Sequence, residues 1–229
     1  MNIALILAGG TGSRLGESIP KQYLEAGGRP VIDYCMKTIE KHPEIDAVQI
    51  VADEEWRPLI RRWAGEKLKG FSEPGKNRQL SILNGLEDIK SYADADAVVL
   101  IHDAARPLVS RQMISECISK CNEYEGVMPA LQMKDTVYYG VSGKIEALLE
   151  RDKLIAGQAP EAFRLEKYYQ ANSALTQEQI MAVKGSTEPA VMAGMNLCYI
   201  AGDERNFKIT TREDFERFCR MVCDREDNG

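Results

Sequence analysis

The sequence predicts an α/β fold with a Rossmann-like, mainly parallel sheet flanked by helices, and three observations predict it. Short apolar runs at Ile3 to Leu7, Ala47 to Val51 and Ala97 to Ile101 are each bounded by turn residues. Longer segments with helical periodicity separate them. At 229 residues with 44% hydrophobic content, the chain is long enough to bury one substantial core.

Between the apolar runs the periodicity predicts helices over Pro30 to Lys41, Glu54 to Leu68, Arg78 to Ile89 and Ser110 to Glu125, the last capped by Ser110. This alternation reads as βαβ units, whose strands are parallel and covered on both faces. After Gly126 the pattern changes. Lys134 to Tyr139, Gly140 to Gly143 and Lys144 to Leu149 read as strand, turn and strand, a protruding β-hairpin arm placed at residues 134–152. A strand near Asn196 to Ala201 returns to the core, and a final helix starts at about Thr211, where Thr211 and Asp214 suit a variant of the capping box. No repeat, low-complexity tract or Pro/Gly/Ser linker divides the chain, so residues 1–229 are expected to form one domain.

The formal charge is -6, and Lys and Arg are scattered rather than gathered in a basic run, which argues against a nucleic-acid partner. An anionic small molecule remains compatible, because the field in a site is set by nearby groups. The apolar start has no basic leader and is too short for a signal or membrane segment, so a cytoplasmic protein without membrane association is expected. Six cysteines include two i,i+4 pairs, Cys117/Cys121 and Cys219/Cys223, with no histidine nearby; they read as helix-face or core residues and not as a zinc site or a disulfide framework.

The first chemical constellation follows the first strand: Ala8-Gly9-Gly10-Thr11-Gly12-Ser13-Arg14-Leu15-Gly16, then Pro20-Lys21-Gln22-Tyr23-Leu24. Glycines let successive backbone N–H groups turn toward one anion. Leu15 spoils a dinucleotide fingerprint, and Glu17 stands where a P-loop needs Lys-Ser/Thr. What remains is a glycine-rich loop with two cations, Arg14 and Lys21, able to straddle a triphosphate. A flexible glycine turn with solvated cations is the plainer alternative. Further on, His102-Asp103-Ala104-Ala105-Arg106-Pro107 directly follows a buried-looking strand, where ligands meet open α/β sheets. Asp103 is available for magnesium or a substrate hydroxyl and Arg106 for a substrate phosphate, with a salt-bridged turn as the alternative. His102 reads as a packing or hydrogen-bonding residue.

Taken with Asn77-Arg78-x-x-Ser81-Ile82 and Asn206-Phe207-Lys208-Ile209-Thr210-Thr211, these blocks resemble, in order and spacing, the cytidylyltransferases that act on 2-C-methyl-D-erythritol 4-phosphate, with the ribitol-5-phosphate cytidylyltransferases as close relatives. The resemblance spans nearly the whole chain. It implies a nucleotidyltransferase fold of the A type, CTP and a small polyol phosphate as substrates, magnesium as cofactor, and a homodimer. It implies that Ala8, Gly9, Gly10, Thr11 and Gly12 hold the nucleotide, and that Gly75, Arg78 and Ser81 recognise cytosine and its ribose. Arg14, Lys21 and Lys208 would be the catalytic cations. Asp103, Ala104 and Arg106 would meet the acceptor, Asp103 also serving magnesium, and Thr136 and Arg151 would reach the acceptor site of a dimer partner.

Three places depart from the pattern. Pro74-Gly75-Lys76 stands where the family usually has a Gly-Gly pair and an acidic residue. Ala159 replaces the threonine of a Q-T-P-Q-x-F block, and Ser186-Thr187-Glu188 replaces a Thr-Asp pair, so the acceptor side is expected to have diverged. Methylerythritol phosphate is the first candidate acceptor, because His102 to Pro107 has its more typical wording. Ribitol 5-phosphate, another polyol or sugar phosphate, and a non-catalytic nucleotide-binding module are the alternatives.

Overall fold

Successive side chains of a strand point to opposite faces, so a run that is apolar throughout must be covered twice. From Ile3 onward, strand β1 (Asn2–Leu7) is such a run: Ile3 and Leu5 enter one buried apolar cluster, Ala4 and Ile6 another. The computed structural model describes residues 1–10 and 19–226 and builds the fold around this strand.

Two short strands, β2 (Glu25–Ala26) and β3 (Arg29–Pro30), form a small ribbon of their own. Then come α1 (Val31–Glu40), β4 (Ala47–Val51), α2 (Arg57–Arg61), β5 (Leu68–Ser72), α3 (Arg78–Lys90), β6 (Val98–Asp103) and α4 (Arg111–Lys120). Strand β1 pairs in parallel with β4 and β6, and β4 in parallel with β5. The second half contributes β7 (Gly126–Gln132), the hairpin β8 (Tyr138–Val141) and β9 (Lys144–Leu148), then β10 (Ile155–Gly157), β11 (Glu161–Arg164), α5 (Leu165–Ser173), α6 (Gln177–Ala182), α7 (Glu188–Met192), β12 (Leu197–Ala201) and α8 (Arg212–Glu226).

Gly126 and Val127 of β7 pair with both β11 and β12, and Ala130 pairs with both β10 and β12. A residue has two edges, so β10 and β11 share one edge of β7 and β12 takes the other. Strand β11 also runs antiparallel to β6, which completes an eight-stranded, mainly parallel sheet. One face is covered by α1, α2 and α4, whose Ile32, Ile60 and Ile114 pack with Ile6, Ile50 and Leu100. The other is covered by α3, α5 and α7, whose Leu86, Tyr168 and Ala190 pack with Leu5, Val51 and Ile101. Helix α8 closes a third cluster, Phe218 and Val222 against Ala26, Val31 and Ile209.

Both expected caps are present: Ser110 Oγ accepts from the Met113 N–H at 3.2 Å, and Thr211 Oγ1 and Asp214 Oδ2 exchange hydrogen bonds with each other's backbone N–H. The expected helix over Glu54 to Leu68 is not. A single 3₁₀ turn at Glu54–Trp56 and the short α2 replace it, with Pro58 in the first turn of α2, where its missing N–H is no loss. The chain then re-enters the sheet as β5, whose Lys69 and Gly70 hide it from an apolar-run search. Helix α4 stops at Lys120, since Glu125 and Gly126 donate to the Asn196 carbonyl as β7 begins.

The hairpin protrudes as expected, and every residue of β8 and β9 is exposed. Ser142 and Gly143 turn it with φ of 51° and 80°, the left-handed pair that two-residue hairpin turns require.

Behind β11 the rings of Phe163 and Tyr168 stack with centroids 4.0 Å apart, both fully buried. Phe163→Ala should cost about 3–5 kcal/mol in urea unfolding. Tyr168→Phe, which loses only the hydrogen bond to the Ser186 carbonyl, should cost about 1 kcal/mol.

Candidate active site

Parallel strands of an open sheet deliver their C-terminal ends to one rim, and ligands bind there. Here β1 ends at Leu7 and β6 at Asp103, in register with each other. Above them lies a cleft of about 540 Å³ lined by Leu7, Gly9, Gly10, Lys21, Gln22, Gly75, Lys76, Asn77, Arg78, Ser81, Asp103, Ala105, Lys184 and Lys208. That volume suits a nucleotide-sized ligand. A second hollow of about 530 Å³ lies between α1 and the Pro107–Ser110 segment, and it contains none of the motif residues that gather in the first.

The loop after β1 is set by its neighbours. The Ala8 N–H donates to Val51 O at 2.8 Å, and its carbonyl accepts from Gln22 Nε2 at 2.6 Å and Tyr23 Oη at 2.9 Å. Gln22 also donates to Gly10 O at 2.7 Å, so the buried middle of Pro20-Lys21-Gln22-Tyr23 ties the loop down while Lys21 lines the cleft. A Cβ at Gly9 would stand 2.6 Å from Pro74 Cβ, so only glycine lets this loop touch the loop before α3. In that second loop Ser81 Oγ accepts from the Gly75 N–H and donates to Asn77 O, both at 3.0 Å. Asn77 caps α3 through Leu80 N–H at 2.9 Å.

At the end of β6, Asp103 is buried and gathers three cations. Arg78 Nη1 bonds to Oδ1, Lys208 Nζ lies 3.0 Å from Oδ2, and Arg106 Nε lies 3.6 Å from Oδ2. Burial alone would raise this carboxyl, but Arg78, Lys208 and Arg106 outweigh burial and hold it far below the ordinary carboxylate range. Arg78 has a second anchor, Ser186 Oγ at 2.8 Å. Behind it sits Glu161, buried, with Oε1 accepting from Thr187 at 3.2 Å and Oε2 without a hydrogen-bond partner; burial raises its carboxyl against the pull of Arg78. His102 is fully buried, and burial lowers its imidazole to about 4, which keeps it neutral, with Nε2 hydrogen-bonded to the Arg106 carbonyl at 3.0 Å.

The structure therefore brings Gly9, Gly10, Lys21, Gly75, Arg78, Ser81, Asp103 and Lys208 to one cleft. Thr11, Gly12 and Arg14 lie outside the described residues. Ala8 is buried with both backbone groups engaged, so it anchors the loop instead of facing the cleft. Ala104 is buried, its N–H donating to Leu7 O at 3.1 Å, and Ala105 takes the place on the cleft wall. Arg106 is turned inward, donating to Asn206 O at 2.7 Å. Thr136 is exposed beside the hairpin, and Arg151 donates to Lys134 O at 3.0 Å at its base; neither lines the cleft of its own chain.

Ala159 is buried, its carbonyl accepting from Asn206 at 2.7 Å, so its methyl faces packed protein and removes no hydroxyl from the cleft. Ser186 and Thr187 anchor Arg78 and Glu161, and Glu188 accepts from the N–H groups of Lys184 and Gly185. The sequence did not single out Gln22 or Lys184; Lys184 in particular sits in no motif. Among the described residues no group of three or more His, Cys, Asp or Glu could hold a metal, which leaves Asp103 as the only carboxylate lining the cleft there.

The family model IspD, 2-C-methyl-D-erythritol 4-phosphate cytidylyltransferase, matches residues 2–221. The ribitol-5-phosphate cytidylyltransferase of Lacticaseibacillus paracasei is 30% identical over 233 residues, 99% of this chain and 100% of that protein. The 2-C-methyl-D-erythritol 4-phosphate cytidylyltransferase of Thermotoga neapolitana is 35% identical over 217 residues, 94% of each. The crystal structure of the Francisella tularensis 2-C-methyl-D-erythritol 4-phosphate cytidylyltransferase superposes with a TM-score of 0.79 at 25% identity, over 95% of this chain and 97% of that one.

Removing the charge of Asp103 strands three cations. Asp103→Asn should cost about 2–3 kcal/mol, less than a fully enclosed pair would, because Arg78 and Lys208 side chains keep 27% and 35% of their surface in water. The folded value of Asp103 lies below the unfolded one, so its stabilising effect is complete above roughly pH 4 and fades as pH falls toward the folded value. Urea titrations between neutral pH and pH 3 should show the gap between wild type and Asp103→Asn closing on the acid side.

Proposed function

Because the chain belongs to the IspD, 2-C-methyl-D-erythritol 4-phosphate cytidylyltransferase, family, we propose that it transfers CMP from CTP to a small polyol phosphate and releases pyrophosphate. The observation that carries this is the convergence of Gly9, Gly10, Lys21, Arg78, Asp103 and Lys208 on one cleft. 2-C-methyl-D-erythritol 4-phosphate is the first acceptor to test and D-ribitol 5-phosphate the second, since relatives of both names cover nearly the whole chain.

An oxygen of the acceptor phosphate attacks the α-phosphorus of CTP in line. The new P–O bond forms as the bond from the α-phosphorus to the bridging oxygen breaks, and pyrophosphate leaves with that electron pair. The nucleophile is already anionic near neutral pH, so no general base is needed, in keeping with a neutral, buried His102. Rate comes from holding two repelling anions together and from countering charge that builds in the transition state. Lys208 reaches the reacting phosphate from its place beside Asp103, and Lys21 and Arg14 serve the departing pyrophosphate. Gly75 and Ser81 shape the loop that would read the base. Magnesium would be held by Asp103 together with phosphate oxygens and water, a single carboxylate being enough for that ion, and would neutralise triphosphate charge.

No helix among the described residues is long and apolar enough to cross a membrane. On this reading the enzyme works in the cytoplasm, where a membrane-impermeant triphosphate such as CTP is available to it. Tyr138, Tyr139, Ile145 and Leu148 on the hairpin are 54–73% exposed, an apolar surface that a second copy would cover, bringing Thr136 and Arg151 to its neighbour's cleft.

Wild type with CTP, magnesium and either acceptor should release pyrophosphate, with UTP, ATP and GTP poorer donors; equal use of a purine triphosphate would sink the cytidylyl assignment. Lys21→Ala and Arg14→Ala should fold normally and lose on the order of 10²-fold in rate.

Sedimentation should show a two-fold dimer, and the pair Ile145→Asp, Leu148→Asp should give monomers with little activity. A fully active wild-type monomer at micromolar concentration would contradict the arm's role.

A further inference from the structure

If the chain transfers CMP to a polyol phosphate, its cleft must hold a second phosphate beside the triphosphate. The residue expected to meet that phosphate, Arg106, is turned away: its side chain is 13% exposed, bonded to the Asn206 carbonyl and facing Asp103. Arg78 and Lys208 do line the cleft, but Asp103 draws both onto itself.

Lys184 stands differently. It lines the same cleft from the segment between α6 and α7, and among the described residues no carboxylate lies within ion-pair distance of its ammonium. Its backbone is pinned. Glu188 Oε1 accepts from the N–H of Lys184 at 3.1 Å and of Gly185 at 2.7 Å. The next residue, Ser186, is buried and held through its hydroxyl by Arg78 at 2.8 Å and through its carbonyl by Tyr168 at 2.7 Å. Helix α6 is tied to the loop before α3 by Asn77 Nδ2 donating to Ile180 O at 2.9 Å. A lysine is thus launched from a fixed point next to the Arg78–Asp103 pair, with its exposed four-carbon stem free to follow an anion.

We propose that Lys184 is a binding residue for the phosphate of the acceptor. The triphosphate has the glycine loop and Lys21; the incoming phosphate dianion has Lys184, whose charge is not already spent on Asp103. A compact, rotatable ammonium can track the phosphate as it closes on the α-phosphorus, which an arginine clamped by Asp103 and Ser186 cannot.

The test uses the full chain with Lys184→Gln and Lys184→Arg, CTP, magnesium, and 2-C-methyl-D-erythritol 4-phosphate and D-ribitol 5-phosphate as acceptors. For Lys184→Gln the KM of the acceptor should rise about tenfold, as for loss of a charge-assisted phosphate contact, with the KM of CTP unchanged and most of the loss restored in Lys184→Arg. An unchanged acceptor KM, or a change confined to CTP, would overturn the assignment. Calorimetric titration of each acceptor, in the presence of a CTP analogue that cannot lose pyrophosphate, separates this from the transfer reaction itself. Wild type that binds acceptor without releasing pyrophosphate from CTP would overturn the reaction alone. Equal acceptor affinity in wild type and Lys184→Gln would overturn the role of Lys184 whatever the turnover, and no affinity in wild type would overturn both.

Discussion

One carboxylate organises the cleft. Arg78 from the start of α3, Arg106 from the turn after β6 and Lys208 from the segment before α8 would repel one another at such range, and Asp103 is the charge that lets them meet. Its position is rigid because β6 lies between β1 and β11, with ladder hydrogen bonds on both sides. Two distant stretches of chain, and the turn that follows β6, are thereby indexed to the middle of the sheet. The glycine loop is indexed to the same place by β1, one strand away.

The cluster contains a second acid with the opposite character. Glu161 stands behind Arg78, buried, with one oxygen on Thr187 and the other without a partner. Arg78 and Arg106 attract both acids, but Asp103 also has Lys208 and is bonded directly to Arg78, while burial dominates at Glu161. The negative charge therefore concentrates on the acid that faces the cleft and is discouraged on the one behind it. Arg78 is fixed by its two nitrogens, Nη1 on Asp103 and Nη2 on Ser186.

Much of this was legible in the sequence because it depends on strong local rules. An apolar run ending in glycines gave β1 and its loop, Ser110 and Thr211 marked helix starts, and Gly140 to Gly143 marked the hairpin turn, which the structure narrows to Ser142-Gly143 because β8 continues through Val141. Motifs also named most of the residues lining the cleft. They did not give orientation: in a turn such as Asp103 to Arg106, closed by the Arg106 N–H on the Asp103 carbonyl, adjacent side chains diverge, so Asp103 and Ala105 face the cleft while Ala104 and Arg106 do not. Ala159 misled for a related reason, since substitution by a methyl says nothing about which way it points. Strands β10 and β11 were invisible as Ile155-Ala156-Gly157 and Glu161-Ala162-Phe163-Arg164, too short and mixed to show a period. Lys184 lies in a turn defined by contacts to residues roughly a hundred positions away, which no local pattern records.

The arm's attachment has a mechanical side. Strand β7 leads into it and β10 leads out, and the two are hydrogen-bonded to each other at its root, from Gln132 opposite Ile155 to Ala130 opposite Gly157. The next residue, Gln158, donates to the Asp203 carbonyl and accepts from the Asp203 N–H, both at 3.0 Å, and Ala159 takes a hydrogen bond from Asn206, two residues before Lys208. The root of the arm and the backbone that carries Lys208 are thus joined by three short hydrogen bonds, so the base of the outer hairpin and the ammonium beside Asp103 share one frame.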